Sequence, residues 1–468
     1  MIVRRRPQRK LGEEALHQLI ADHEDMKWEA WMKEADKLLD DEELIEIVYE
    51  ALAGRHPESA RLGRESTPCE VVLRMMLLKH IRNWSYEEME REVRANLIYR
   101  EFTRIGTGRV PEHTTMVKLG QAIGDEHLKK LNRVLATKAR DKKIAPGRKM
   151  RLDTTVTESN IHYPTDSSLL ADGVRVLNRM VGKIREVMEE TGENFRDRSR
   201  TVKRRLIEIG KSAAQRSEQA KQKRNVAYKK LMGAARATVN QAVKVAEEAG
   251  GKVNEIRDAA KRAMVKRAIE QILVASAFTN NVIKQTRERV VKGNTHYKEK
   301  VVSLFEPETE IIKKGKSGKP AEFGKMVKIQ EAENQIITDY DLYDHRPQDS
   351  DLLMSAIEAH VAIYGRPPKL VAADGGFRGH NQEATAVGVK HVAIPQPRGR
   401  SPNRKPHPRW FKLAQRWRAG CEGRISVLKR RHGLFKSKYK GTSGMRRWVG
   451  LGVIASNLIS MGRVLANR

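Results

Sequence analysis

The stretch "RLDTTVTESNIHYPTDSSLL" covers Arg151–Leu170 and changes character halfway along. Its first half is β-branched and holds one early acid, Asp153. With Lys149 and Met150 in front, "KMRLDTTVTES" alternates loosely, follows Gly147 and ends before Pro164. That is the pattern of a strand, and we read residues 146–165 as a first strand and its exit. Beyond it, Leu170, Val174, Leu177, Val181, Ile184 and Met188 are spaced alternately four and three apart, which is a heptad seam. The seam breaks at Thr191–Asn194 and again at Gly250-Gly251. Val202, Leu206, Ile209 and Ala213 continue it between the breaks, and Val253, Ile256, Ala260 and Met264 after them. Residues 166–292 are therefore predicted to form a long antiparallel helical arm, inserted after one strand of a sheet.

The sheet must be completed further on. In residues 293–468, "KVVSLF", "EFGKMVKIQ", "NQIITDYDLY", "KLVAADGGF" and "KHVAIPQP" read as strands. "SDLLMSAIEAHVAIYG" and "NQEATAVG" read as helices, and the chain from Pro408 on as helical. Strands alternating with helices predict an α/β or α+β layered core. Residues 1–145 read as all-helical. One helix starts after Thr67-Pro68, and "SYEE" (Ser85–Glu88) fits a capping box. Breaks near Gly106, Gly120 and Gly124 are compatible with a helix-turn-helix-like DNA reader, and equally with an ordinary bundle.

The chain's 468 residues carry a net charge of +32, which asks for a polyanionic partner, nucleic acid first. Residues 196–236 hold 14 Lys/Arg against Asp197, Glu208 and Glu218. Either a solvated coiled-coil face or contact with a DNA backbone fits that excess. No membrane partner is expected. The most apolar run, Trp448–Leu465, includes Asn457, Ser460 and Arg463 and reads as a packed helix. The basic start "MIVRRRPQRK" lacks the apolar stretch of a signal peptide. Two cysteines, Cys69 and Cys421, make no metal motif and agree with a reducing cytoplasm.

Against this positive background, isolated acids are informative. Asp374 follows the apolar run "LVAA" and precedes Gly375-Gly376, at the strand end where layered α/β proteins place their sites. An Asp-Gly turn would look the same. Residues 396–447 hold 17 Lys/Arg and a single acid, Glu422. Arg418, Glu422 and Lys429 are spaced by four and seven and share one helix face. A lone anion among phosphate-binding cations makes sense if it holds a metal, though a simple ion pair with Arg418 is the plainer account. Asp153, Asp374 and Glu422 together suit two Mg²⁺ (or Mn²⁺) ions for in-line attack at a phosphodiester. Asp339, Asp341 and Asp344 beside His345 form a competing acidic group, and Asp166 and Asp172 look like helix-start acids.

These stretches resemble a known family. "LDTTVTESNIHYPTDSSLLADGVRVL", "VAADGGFRG" and "RAGCEGRISVLKRRHGL" are similar to the three carboxylate regions of DDE transposases of bacterial insertion sequences, nearest to the ISNCY-like group. "LRMMLLKHIRNWSYEEMEREVRANLIYREFTRIG" with "VPEHTT" resembles their helical N-terminal region. The resemblance implies an RNase H-like catalytic core with a long helical insertion and an N-terminal DNA-binding region. It implies Asp153, Asp374 and Glu422 as catalytic metal ligands, with Arg418 and Lys429 on the DNA backbone. Arg424, Arg430 and Arg431 are counted with them as DNA contacts, and Trp417 as a base-stacking group or groove wall. The partners would be terminal inverted repeats and target DNA. The working unit would be a dimer or larger, in the bacterial cytoplasm at the nucleoid. One departure stands out: where related transposases have Tyr in a Tyr-Arg-Glu-Lys signature, this chain has Gln415. An RNase H-like nuclease without strand transfer, or a DNA-binding structural protein with a decayed site, are the alternatives.

Overall fold

The computed structural model describes residues 1–5, 28–56, 58, 62, 65–316, 319–396 and 407–468, with no side chains for 314–320. The basic residues Arg398, Arg400, Arg404 and Lys405, and most of the basic start, lie outside the described residues. The chain divides into two units, Met1–Asn160 with Ile312–Arg468, and Ile161–Ile311.

Among the described residues the first unit opens with seven helices: α1 (Ala30–Leu39), α2 (Glu42–Ala53), α3 (Cys69–Arg82), α4 (Tyr86–Ala95), α5 (Leu97–Phe102), α6 (His113–Ala122) and α7 (Asp125–Asp141). Their ends follow from local chemistry. Asp41 caps α2, accepting from the amides of Glu43 and Leu44. The capping box before α4 forms, with Glu88 N donating to Ser85 Oγ at 3.0 Å and Ser85 N to Glu88 Oε2 at 2.6 Å. Helix α3 is buried on every side, Glu70, Arg74, Lys79 and His80 included. Arg74 keeps its charge inside by meeting Asp36 at 2.5 Å and Asp40 at 2.8 Å. So α3 is a core helix, with no face left to read a DNA groove.

The sheet has six strands: β1 (Lys149–Glu158), β2 (Glu310–Lys316), β3 (Lys319–Glu331), β4 (Ile337–Leu342), β5 (Leu370–Ala372) and β6 (His391–Ala393). Its order is β2-β3-β1-β5-β6, with β4 also paired to β3. β1 is central, antiparallel to β3 and parallel to β5. Helix α12 (Leu352–Tyr364) covers one face through Leu353, Ala356 and Ile357. Helices α14 (Arg409–Arg431) and α15 (Gly441–Ala466) cover the other, where Leu428, Val449 and Val453 meet Val327 and Ile329. The short α13 (Asn381–Ala386) links β5 to β6. By length and composition α15 passes as a membrane span, contrary to the reading of its sequence. Most of it is nevertheless buried in protein. Its Asn457 donates to Asn132 Oδ1 on α7 and to the carbonyl of Ile337, and accepts from the Ile337 amide.

The second unit holds α8 (Asp166–Arg185), α9 (Ser199–Ala213), α10 (Glu218–Lys252) and α11 (Ala259–Val290). The heptad residues Leu170, Val174, Leu177, Val181 and Ile184 are all buried. Gly173 is needed where α8 meets α11, since a Cβ there would lie 2.1 Å from Thr279 Oγ1. Two expectations change. Gly250-Gly251 does not break the arm: α10 runs through both glycines, at a propensity cost of about 1 kcal/mol each. The turn comes at Val253–Glu255, and Asp258 then caps α11. "KVVSLF" forms no strand, because no strand edge lies beside it; the Val301 amide donates instead to Gln285 Oε1 on α11 at 3.0 Å. Asp166 and Asp172 are tied within this unit, Asp166 to Arg289 and Gln285, Asp172 to His162 and Arg175.

Candidate active site

The register of the sheet sets two of the carboxylates side by side. Arg151 on β1 stands opposite Ala372 on the parallel strand β5. Two residues further along β1 comes Asp153, and two residues past the end of β5 comes Asp374, on neighbours that run about 4.8 Å apart. Asp374 ends its strand by capping a short turn, its Oδ1 accepting from Gly376 N at 2.8 Å. Asp153 stays in regular strand and accepts from Thr154 N at 2.8 Å.

The third carboxylate arrives on α14, and Gly420 lets that helix come close. A Cβ at Gly420 would sit 2.6 Å from Arg151 Nη1. Arg151 donates from Nη1 to the Trp417 carbonyl at 2.6 Å and from Nη2 to buried Glu331 at 2.6 Å. Its guanidinium also lies 5.0 Å from the Trp417 ring centroid. This buried knot docks α14 on β1 and turns Arg418 and Glu422 toward Asp153. Arg418 reaches both acids, 3.3 Å from Glu422 Oε1 and 4.0 Å from Asp153 Oδ2. Glu422 is exposed, with 66% of its side chain open to solvent, against 15% for Asp153. Gln415 anchors the start of the same helix on the sheet, its Nε2 donating to the carbonyls of Ala373 (3.2 Å) and Ala393 (2.5 Å).

Asp153 sits among like charges in a buried setting. Burial, then the like charges of Asp374 and Glu422, push the Asp153 carboxyl up to about 6, against the pull of the Thr154 amide and Arg418. A fourth acid, which the sequence reading passed over, stands nearby. Asp349 accepts from Thr154 Oγ1 at 3.2 Å. A Cβ on Gly376 would lie 2.9 Å from Asp349 Oδ2 and 3.0 Å from Asp374 Oδ1, so this glycine separates the two carboxylates. Among the described residues, no three His, Cys, Asp or Glu side chains are gathered tightly enough to hold a metal as they stand.

The cations on α14 divide by direction. Arg430 and Arg431 are exposed and Lys429 is partly so. Trp417 is packed beneath Arg151, as a wall rather than an open stacking face. Arg424 is turned inward, 6% exposed, donating to Ser456 Oγ, Ser460 Oγ and Gln335 Oε1. It therefore stands apart from the exposed cations of α14, its guanidinium held among neutral side chains. The competing acidic group is consumed by ion pairs: Asp339 and Asp341 by Lys328 at 2.9 and 2.8 Å, and Asp344 by Arg446 at 2.8 Å.

Residues 19–121 match the family model described as Transposase domain (DUF772), well under half of the chain. The match supports a transposase family for this protein, and with it action on DNA. No curated protein and no solved structure matches the chain.

Proposed function

We propose that this transposase is of the DDE type, nearest to the ISNCY-like group of insertion sequences, and that its sheet is an RNase H-like catalytic core. It cuts at the ends of the element and joins them to target DNA. The observation that carries this reading is the convergence of Asp374, Glu422 and Arg418 on Asp153, from a central strand, the end of its parallel neighbour and a basic helix.

The donor set fits hard divalent cations. It offers carboxylate oxygens only, and Asp153 has more negative charge around it than one arginine balances. Asp153, Asp374 and Glu422 would hold Mg²⁺ or Mn²⁺, two ions per site, with Asp349 close at hand. Such ions activate an attacking hydroxyl and stabilise the leaving oxygen of a phosphodiester. The chain's own contribution is placement. The β1–β5 register sets the spacing of the first two acids, and the Arg151–Glu331 knot with Gly420 sets the approach of the third. Arg418 holds Glu422 in orientation and neutralises part of the charge on Asp153. Lys429 and Arg430 continue the helix past the site and grip the DNA backbone there. The helical N-terminal region supplies further DNA contact, and the protein works as a dimer or larger.

The test uses purified full-length protein, a duplex carrying an element end, and Mg²⁺. Asp153→Asn, Asp374→Asn and Glu422→Gln should each lower cleavage and strand joining more than about 100-fold, since even outer-shell partners of a metal cost 10–100-fold. Binding to the duplex should persist. Normal cleavage by Asp153→Asn, or full activity in EDTA, would overturn the proposal. Cleavage without joined products would reduce the protein to a nuclease.

A further inference from the structure

Behind α14 lies a second basic feature. Arg424 is two residues from Glu422, about 200° around the helix, so it points away from the carboxylates. It lines a cavity of about 460 Å³ between α14, α15 and the turn before β4. Arg431 and Arg463 also line it, both on its exposed rim. None of the lining residues is acidic. No ion pair of Arg431 or Arg463 is found among the described residues. Two carboxylates face these arginines and both are engaged, Glu331 by Arg151 at 2.6 Å and Glu29 by Arg82 at 2.5 Å.

Arg424 is the unusual member. It is 94% buried, yet its guanidinium is held only by neutral oxygens: Ser456 Oγ and Ser460 Oγ at 2.9 Å and Gln335 Oε1 at 2.5 Å. Its Nε is buried without a partner, as are those of Arg74 and Arg151, so the neutral surroundings of its Nη atoms are what set it apart. Buried arginines ordinarily meet a carboxylate, as Arg74 and Arg151 do here. Asn334 and Gln335 at the cavity edge are the central residues of the turn joining β3 to β4, with φ of 53° and 62° as a tight hairpin requires.

We propose that this cavity is a phosphate-binding site, distinct from the carboxylate site, with Arg424 at its floor and Arg431 and Arg463 at its rim. Arginine forks match phosphate oxygens with paired hydrogen bonds, and the serine hydroxyls that now accept from Arg424 have protons to donate. The volume exceeds that of a bare phosphate and admits an attached sugar or base. The phosphate comes either from a nucleic-acid backbone or from a free nucleotide. The site does not depend on the catalytic reading.

Calorimetric titration of the full-length chain with inorganic phosphate, with a mononucleotide and with a random DNA duplex tests the proposal. Wild-type protein should bind the mononucleotide saturably. Arg431→Gln and Arg463→Gln are surface changes that spare the fold, and each should weaken binding about 10-fold, the loss of one charge-assisted contact. Arg424→Lys, which keeps a buried cation but loses the fork, should weaken it further. Asp153→Asn, which removes the proposed cleavage, should bind normally. Displacement of the mononucleotide by duplex would identify a backbone phosphate as the natural ligand; binding indifferent to duplex would identify a free nucleotide. Absence of saturable binding by the folded protein, or affinity unchanged in the Arg431→Gln/Arg463→Gln double variant, would overturn the site.

Discussion

Two groups of aspartates sit on the same sheet and have opposite fates. Asp339 and Asp341 on β4 are joined by Lys328, which is almost wholly buried, and Asp341 by Lys129 as well. These acids hold Lys328 protonated well above its ordinary range although burial opposes its charge. Asp153 shares one arginine with Glu422, and burial together with the like charges of Asp374 and Glu422 pushes it up rather than down. In a chain with 91 Lys and Arg, cations were available to quench both groups. On the DDE reading proposed above, Asp153, Asp374 and Glu422 are the acids that a cation from outside would meet. Proximity of carboxylates alone does not distinguish the two groups; their pairing with cations does.

The largest expected effect breaks the quenched group. Lys328→Met leaves Asp339 and Asp341 facing a buried apolar side chain. It should cost about 3–5 kcal/mol of stability by chemical denaturation, as removal of one partner of a buried pair does. Arg418→Gln should cost under about 1 kcal/mol, while shifting the Mg²⁺ concentration at which cleavage is half-maximal. Equal stability losses in the two variants would erase the distinction. Next is Asp349→Asn. If this acid supports the site through Thr154 and Asp374, cleavage should fall about 10–100-fold with little change in DNA affinity. A drop in melting temperature without a drop in rate would instead make Asp349 a turn residue only.

A smaller effect has the opposite sign. Asp153→Asn relieves like-charge crowding, so in EDTA it should raise stability by about 1 kcal/mol, or roughly 2 °C in melting temperature for a protein of this size. Asp341→Asn should lower it. A fall in both would show that Asp153 is held by pairing after all. The smallest change expected is for Arg430→Gln on the exposed part of α14. It should reduce the log–log salt slope of DNA binding by about 0.9 while leaving sequence preference unchanged.

Much of the site was visible in the residues, and the limits are instructive. Asp153 stood out as the acid of a β-branched run, and Asp374 as an acid ending an apolar one. Their adjacency depends on the Arg151–Ala372 register, which no local pattern encodes. Asp349 carries no signal in "RPQDSD", where acids are common; only its bond from Thr154 marks it. Arg424 was grouped with its basic neighbours by composition, yet helical periodicity already put it on the side opposite Glu422. The heptad spacing gave the buried seam of α8 directly. "KVVSLF" misled because an apolar run states only that it will be covered, not by what. Gly420 reads as a weak point in a helix until Arg151 is seen beneath it.

Helix α15 has a consequence for how the protein is made. Its Leu451, Ile454, Leu458 and Met461 complete the core formed by α1, α3 and α7, whose last residue lies 300 positions earlier in the chain. At a synthesis rate of roughly 5–20 residues per second, that interval lasts about 15–60 s. For that time the nascent N-terminal helices have an unfilled apolar groove, a surface that chaperones hold and proteases test. Newly translated protein therefore stays unfinished at its amino-terminal end until its carboxy-terminal region emerges. A chain that ended before α15 would leave the core of α1, α3 and α7 open along that side.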